Sequence, residues 1–262
     1  NRRQRQMCIR DRFMNRRHFI NTSLFASVAA FLPKVVYGRF QKIPSWESLI
    51  EWARWAPSVH NLQPQRVKVL SETEALLCYD TNFLLPVGDP KSEFATAVFG
   101  VFVESLSIAA APYGFRVYLS ELIEGPSLQK EGIQTFGKIR IAELIGKEEL
   151  NPELLKQRRT ARTDYDGESL ASGTSEKCAT IAAKFGANMF LTSDKEKVDY
   201  LVKINQQTLF DDLSHDDMRN ELDRLFRYSR KEAEEHRTGL WTKCMGFCLL
   251  YTSDAADDCR CV

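Results

Sequence analysis

One short stretch of the chain groups residues that could bind a phosphate. Residues 158–162, RRTAR, place three guanidinium groups and a threonine hydroxyl within five residues. Arginine presents a rigid fork of donors that matches phosphate oxygens, and each contact is charge-assisted. These residue types at this spacing would suit a phosphate. The alternative is a solvated basic patch, or ion pairs with Asp164 and Asp166.

A second stretch, APSVHNLQPQ at residues 56–65, is unusually rich in prolines and hydrogen-bonding side chains. Pro57 should end the helix predicted before it, because the residue before a proline is pushed out of the α region. Backbone N–H groups and short polar side chains around Ser58, Val59 and Asn61 could then surround the edge of a flat heteroaromatic ring. A well hydrogen-bonded turn is the alternative, and His60 is either an acid–base group or a structural histidine.

The elements that would position these stretches follow from local signals. Ser45 caps a helix that runs to about Ala56, and the strand-like runs 66–70 and 75–79 form a hairpin. Asp89 caps a helix with Pro90 in its first turn. Because residues 94–111 are nearly all apolar or small, we predict that this helix is buried on all sides.

The pattern beyond Gly114 predicts strands and then mostly helices. Strands are predicted at 115–120 and 138–145, with a loop at 121–137 between them. A short helix from Pro152, a helix at 175–186 and a strand at 189–192 follow. The last predicted elements are a helix at 193–211, opened by a Ser193–Glu196 capping box, and a helix from Ser214 toward Glu235. Two αβ halves, 41–148 and 149–247, are the natural division.

The two ends differ in character from the body. Residues 1–17 hold seven arginines and one aspartate, whereas the formal net charge of the whole chain is +1. A basic end on a mildly acidic body favours a targeting segment or a foreign tail over a nucleic-acid surface. MCIRDR at 7–12 and CLLYTSDAADD at 248–258 resemble translated sequencing-adapter sequence. We interpret residues 1–13 and 248–262 as adapter-derived, with the natural C-terminus missing; native tails are the alternative.

Residues 14–40 resemble a twin-arginine export signal. Arg16 and Arg17 are followed by Phe19 and by a short, modestly apolar stretch at 22–32. Such a signal implies folding and cofactor loading in the cytoplasm before transfer to the periplasm. A basic amphipathic helix or a frayed terminus is the alternative, and the protein would then remain cytoplasmic.

Several classes of site are not indicated by the body of the chain. No run of about 18 apolar residues occurs, so we predict no stable membrane span. Cys78, Cys178 and Cys244 lie far apart and predict neither a disulfide framework nor a metal site. The chain contains no GxGxxG, so a Rossmann nicotinamide site is not indicated.

Three stretches, in this order, resemble the FMN-dependent nitroreductase-like proteins, and more closely the Acg-like branch, in which one chain holds two related halves. APSVHNLQPQ resembles that family's A-P-S-x-H-N-x-Q-P-W stretch, although Gln65 stands in place of the aromatic residue. DPKSEFATAVFGVFVESLSIAAAPYG resembles its central buried helix, and QRRTAR resembles its R-x-[ST]-x-[RK] phosphate motif. The resemblance covers roughly residues 45–240.

The resemblance implies an α+β nitroreductase-like fold, with a mixed or antiparallel sheet flanked by helices, a long buried central helix, and two pseudo-repeated halves of which the second is incomplete. FMN would lie at the junction of the halves. The residues implied at the isoalloxazine ring are Pro57, Ser58, Val59 and Asn61, and those implied at the phosphate are Arg158, Thr160 and Arg162.

The activity implied is that of an oxidoreductase passing electrons from NAD(P)H through FMN to a small nitroaromatic or quinone-like acceptor. The protein would be a pseudo-dimeric monomer or a homodimer, without a nucleic-acid partner. The alternative is a non-enzymatic flavin-binding or flavin-storing protein, which the loss of the aromatic wall at Gln65 would permit. A third hypothesis is that the chain is too incomplete to function.

Overall fold

The computed structural model describes residues 42–146, 151–160 and 167–245. Within them the chain has seven helices, a four-stranded antiparallel sheet and a two-stranded parallel sheet. The helices are α1 Trp46–Ala53, α2 Glu93–Ala110, α3 Glu153–Gln157, α4 Thr174–Lys184, α5 Lys195–Ser214, α6 Asp216–Leu225 and α7 Arg230–His236. The strands are β1 Gln65–Val69, β2 Glu74–Asp80, β3 Phe115–Leu122, β4 Ile133–Glu143, β5 Phe226–Arg227 and β6 Leu240–Trp241. The predicted α+β class is confirmed.

The antiparallel sheet has the strand order β1-β2-β4-β3. The predicted hairpin is confirmed, since β1 pairs with β2 with Val67 opposite Leu77. Strand β4 starts five residues before the predicted position, so the loop predicted at 121–137 is too long. Gly137, the last residue of that predicted loop, lies inside β4 beside a bulge in β3, where an added Cβ would come within 2.5 Å of the Glu121 carbonyl oxygen.

Helix α2 provides the centre of the hydrophobic core. Phe99 and Leu106 are fully buried, and the Phe99 ring lies 5.8 Å from that of Tyr79 and 4.8 Å from that of Phe136, between ring centroids. Packing of this kind between aromatic residues and one face of a sheet is a large apolar contribution to stability. The core therefore lies between α2, α1 and one face of the four-stranded sheet.

The prediction that α2 is buried on all sides is wrong. Phe94 is 57% exposed and Val101 40% exposed, because α1 and the sheet cover only one side of the helix and no described element covers the other. By length and composition, the stretch Glu93–Tyr113 could cross a membrane, but half of its most apolar window is buried inside the protein. Its packing is that of a core helix, which is consistent with the predicted lack of a stable membrane span.

Two predicted helix starts are confirmed in part. The Ser45 hydroxyl accepts a hydrogen bond from the Ser48 N–H at 3.3 Å, as a cap of α1 should. The Asp89 carboxylate accepts from two N–H groups at the start of α2, at 3.2 and 2.9 Å. Ser92 nevertheless occupies the N-cap position, with φ of 56°, so Pro90 precedes the helix instead of lying in its first turn.

The second half, from residue 149, differs from its prediction in three places. Residues 189–192 form no strand, α5 is capped by the Asp194 carboxylate instead of Ser193, and the long helix predicted from Ser214 is two helices separated by β5. The break occurs because Phe226 pairs with Leu240 of β6. In its described part the second half has no counterpart of the four-stranded sheet, so the pseudo-repeat and the nitroreductase-like fold stay predictions. The predicted artefacts at 1–13 and 248–262, the export signal at 14–40, and Arg162 lie outside the described residues.

Candidate functional site

The chain bends sharply at residues 57–64, which we call the corner. Helix α1 ends at Ala53, and a further turn to Ala56 brings the chain to Pro57. Beyond it, His60, Asn61 and Gln63 have φ values of 47°, 56° and 53°. Left-handed backbone is uncommon for residues other than glycine and costs roughly 1–3 kcal/mol at each position. Three such residues in four positions make the corner a strained segment that its surroundings must hold in place.

Hydrogen bonds within the corner hold part of that conformation. The Ser58 hydroxyl accepts from the Gln63 N–H at 3.1 Å, and the Gln63 side-chain amide donates to the Asn61 side-chain oxygen at 3.0 Å. One Arg66 Nη donates to the Gln63 carbonyl at 2.7 Å. The polar side chains predicted to surround a ring edge are therefore also those that shape the turn, as the alternative hypothesis for this stretch expects.

The rest of the conformation is held by the segment after α7. The Gly239 N–H donates to the Asn61 carbonyl at 3.3 Å, and the Asn61 side-chain amide donates to the Gly239 carbonyl at 3.4 Å. The Gln63 side-chain amide donates to the Arg237 carbonyl at 3.0 Å. These bonds join parts of the chain that are 174 and 178 residues apart in sequence. The corner is thus anchored from both halves of the chain.

The underside of the corner is apolar. Leu62 is buried against Leu85 and Leu225, with Val59 and Phe83 packed beside them. The cavity left under the corner has a volume of about 10 Å³, which is room for one water molecule at most. A ring-shaped ligand would therefore have to contact the outer surface of the corner, where Pro57 and Asn61 are exposed and Ser58 is half-buried.

A carboxylate from α6 reinforces this packing. The two oxygens of Glu221 accept from the backbone N–H groups of Val87 and Gly88 at 2.9 and 2.7 Å. A charged acceptor shared by two N–H groups is a strong hydrogen-bonding arrangement. It fixes α6, and with it Leu225, over the loop that follows β2.

The first residue of β1 leaves one polar atom unsatisfied. The side-chain oxygen of Gln65 is buried and has no hydrogen-bond partner among the described residues. An unsatisfied buried acceptor costs about 1–3 kcal/mol, and a donor supplied by a ligand would remove that cost. Gln65 adjoins the corner through Pro64, but its unsatisfied oxygen is buried and does not reach the outer surface that a ring-shaped ligand would contact.

The structure places the phosphate-motif residues after α3. Arg158 and Thr160 are both exposed. The Arg159 guanidinium donates to the backbone carbonyls of Lys156 and Arg158, so it is tied to the end of α3. No hydrogen bond or ion pair among the described residues joins positions 158–160 to the corner. Arg162, the third predicted phosphate ligand, lies outside the described residues, as do Asp164 and Asp166.

The two predicted regions are linked through their helices. The Lys156 ammonium of α3 lies 3.5 Å from the centroid of the Trp52 ring on α1, which is a cation–π contact. Trp52 is two residues before the C-cap of α1, and α1 leads directly into the corner. The phosphate motif thus directly follows a helix that packs against the one preceding the corner.

Other chemistry in the described part of the chain is limited. No group of three or more His, Cys, Asp or Glu side chains there could hold a metal ion, and Cys78, Cys178 and Cys244 are free thiols. Burial, followed by the charges of Asp223 and Glu232, raises the pKa of Tyr228 above its ordinary value. Tyr228 is 49% exposed and is not part of the corner.

Sequence reasoning missed the residues that anchor the corner from a distance, above all Gly239, Arg237 and Glu221. Gly239 has φ of 87°, and an added Cβ would lie 2.3 Å from the Leu225 carbonyl oxygen. The only local signal was a glycine closely following a helix, which is typical of any helix end. A scan of protein-family models and a search of curated proteins found no match to this chain.

Proposed function

We propose that this chain is an FMN-dependent oxidoreductase of the nitroreductase type, which passes electrons from NAD(P)H to a small nitroaromatic or quinone-like acceptor. The proposal rests on the ordered resemblance of the corner, α2 and the 158–162 motif to that family. The observation that supports it best is the strained corner, held in one conformation from both halves of the chain. Such strain persists where the surrounding structure over-determines it, and it clusters at ligand sites.

At the ring end, the corner offers a rigid surface. Ser58 and Asn61 are held by their own hydrogen bonds, so their positions would change little on binding. Pro57 and Val59 would supply apolar contacts.

At the phosphate end, Arg158 is the strongest candidate ligand among the described residues. Its neighbour Arg159 is already bonded to backbone carbonyls, whereas Arg158 lies exposed beyond the end of α3. Arg158 and Thr160 would hold phosphate oxygens, with Arg162 completing the motif. Bound FMN would supply the hydride and electron transfer, and the protein would supply binding and orientation.

The test compares two adjacent arginines in the FMN affinity of the full chain. We expect Arg158→Ala to weaken FMN binding by about 1.5–3 kcal/mol, the range for hydrogen bonds to charged groups, or roughly 10-fold to 150-fold in Kd. Arg159→Ala is the matched control, because its guanidinium serves α3, and it should leave Kd nearly unchanged. Fluorescence quenching of added FMN measures both values. Equal effects of the two substitutions, or no FMN binding by the unmodified chain, would contradict the proposal.

A non-enzymatic flavin-binding or flavin-storing protein is the second candidate, favoured by Gln65 at the position where the family carries an aromatic residue. Anaerobic addition of NADH or NADPH to the FMN-loaded protein separates the two. Loss of the yellow flavin absorbance supports the oxidoreductase. Flavin that stays bound and oxidised supports the storage protein.

A further inference from the structure

Two tryptophans project from the same side of the chain at the end of α1. Trp52 is partly buried against the core, whereas Trp55 is 48% exposed. The Trp55 N–H donates to the Trp52 carbonyl at 3.2 Å, which is the i to i+3 hydrogen bond of a 3₁₀ turn. Side chains at i and i+3 are eclipsed in such a turn, so the Trp55 indole lies beside that of Trp52. An exposed aromatic face therefore adjoins Pro57, where the corner begins.

A positive charge is held beside the first of these rings. The Lys156 ammonium, 3.5 Å from the centroid of the Trp52 ring, has no carboxylate partner among the described residues. Glu51, the residue before Trp52, is already paired with Arg54 at 3.3 Å. The ring fixes the position of the ammonium without neutralising its charge. Lys156 can therefore bind an anion that approaches Trp55.

These two side chains favour a ligand that carries both a flat ring and a phosphate. An indole stacks on the π-face of a nucleobase, and a lysine ammonium binds phosphate as a point charge. FMN and adenosine phosphates both have such a ring and such a phosphate. The corner and Arg158 are already assigned to the ring and the phosphate of FMN. The nucleotide that the proposed activity leaves unplaced is the adenosine half of NAD(P)H.

We propose that Trp55 and Lys156 bind the adenosine-phosphate half of NAD(P)H, with adenine on the Trp55 indole and a phosphate on the Lys156 ammonium. The inference rests on the proposed function, because that function brings NAD(P)H to the corner. Trp55 closely precedes Pro57, so the nicotinamide half would point toward a flavin ring on the outer surface of the corner. The dinucleotide would then be bound without the glycine-rich fingerprint that the chain lacks.

Isothermal titration calorimetry of the full chain without FMN tests the ring contact. We expect ADP to bind, and adenosine, which has no phosphate, to bind roughly tenfold more weakly. Trp55→Ala should weaken both ligands roughly 5-fold to 150-fold, the range for a base stacked on an aromatic side chain. Tyr113→Ala is the matched control, because Tyr113 is 43% exposed and lies at the opposite end of α1, and it should change neither affinity. No binding of ADP at millimolar concentration, or equal effects of the two substitutions, would overturn the proposal.

Charge substitutions test the phosphate contact. Lys156→Gln should weaken ADP binding roughly tenfold and leave adenosine binding unchanged, because only the phosphate meets the ammonium. Lys156→Arg keeps a cation that can stack on Trp52, so it should retain most of the affinity for ADP. Lys42→Gln, at an exposed lysine before the N-terminal end of α1, is the control and should have no effect. Equal weakening of ADP and adenosine by Lys156→Gln would mean that Lys156 only supports the fold, and would refute the phosphate contact.

Competition with FMN separates this inference from the proposed function. Saturating FMN should leave ADP binding unchanged, because the two ligands contact different surfaces. Displacement of ADP by FMN would assign Trp55 and Lys156 to the flavin and overturn the inference. A chain that binds ADP but no FMN would refute the proposed oxidoreductase and keep the nucleotide site. A chain that binds FMN but no ADP would keep the oxidoreductase and refute the nucleotide site.

Discussion

Gly239 is the residue at which the attachment of the C-terminal segment to the corner can be tested most directly. In Gly239→Ala, the added Cβ would lie 2.3 Å from the Leu225 carbonyl oxygen and 2.9 Å from the Arg227 guanidinium carbon. The left-handed φ of 87° costs a residue with a side chain about 1–2 kcal/mol. Relief of the clash adds about 1–3 kcal/mol. The shift would also lengthen the 3.3 Å bond from the Gly239 N–H to the Asn61 carbonyl, a further loss of about 0.5–1.5 kcal/mol.

We therefore expect Gly239→Ala to destabilise the docked segment by about 3–6 kcal/mol. Gly132→Ala is the control, because Gly132 has φ of 75° but nothing lies within 4 Å of its added Cβ. That substitution should cost only the conformational penalty of about 1–2 kcal/mol. Urea unfolding gives the global free energy of unfolding of each variant. Hydrogen exchange at the backbone N–H of Gln63, which donates to the Ser58 hydroxyl, reports local release of the corner. If the two glycine variants lose the same stability and exchange equally, the close approach at Gly239 does not hold the corner.

Two further predictions concern the core and one titrating group. Phe99→Ala should lower the free energy of unfolding in urea by about 3–5 kcal/mol, because Phe99 is fully buried. Phe94→Ala, on the exposed side of the same helix, should change it by less than about 0.5 kcal/mol. Equal losses would contradict the one-sided packing of α2. The raised pKa of Tyr228 means that the folded state holds the phenol proton more tightly than the unfolded state. Its contribution to the free energy of unfolding is therefore present below the ordinary pKa of 10.0 and is lost as pH rises beyond that value. Asp223→Asn should lower the pKa of the Tyr228 phenol. That pKa is measured from the change of tyrosine absorbance with pH, after subtracting the absorbance of the same chain carrying Tyr228→Phe. An unchanged pKa would refute the assigned charge effect.

The features predicted correctly from sequence depend on short-range signals. A serine before an apolar periodic run predicted the cap of α1, and a polar turn between two alternating runs predicted the β1–β2 hairpin. Both act over a few residues, and the same local chemistry operates in the folded chain.

The incorrect predictions concern features that depend on distant partners. The apolar run at 189–192 looked like a strand, but β-propensity expresses packing against neighbours, and no strand lies beside it in the described part of the chain. Helix α2 looked fully buried, but burial requires a second covering layer, which composition alone does not supply. The left-handed conformation of Gln63, which the sequence did not predict, is held partly by Arg237, which is 174 residues away.

The double anchoring of the corner has a consequence for the proposed cofactor. If FMN binds the corner only in its docked conformation, then binding and docking of the 237–239 segment are linked, and each must favour the other by the same factor. Gly239→Ala, which contacts no proposed ligand atom, should therefore weaken FMN binding, while saturating FMN should slow hydrogen exchange at the Gln63 amide of the unmodified chain. A corner that binds FMN equally well docked or released would show neither effect. The strain at His60, Asn61 and Gln63 would then be a feature of folding alone and would play no part in flavin binding.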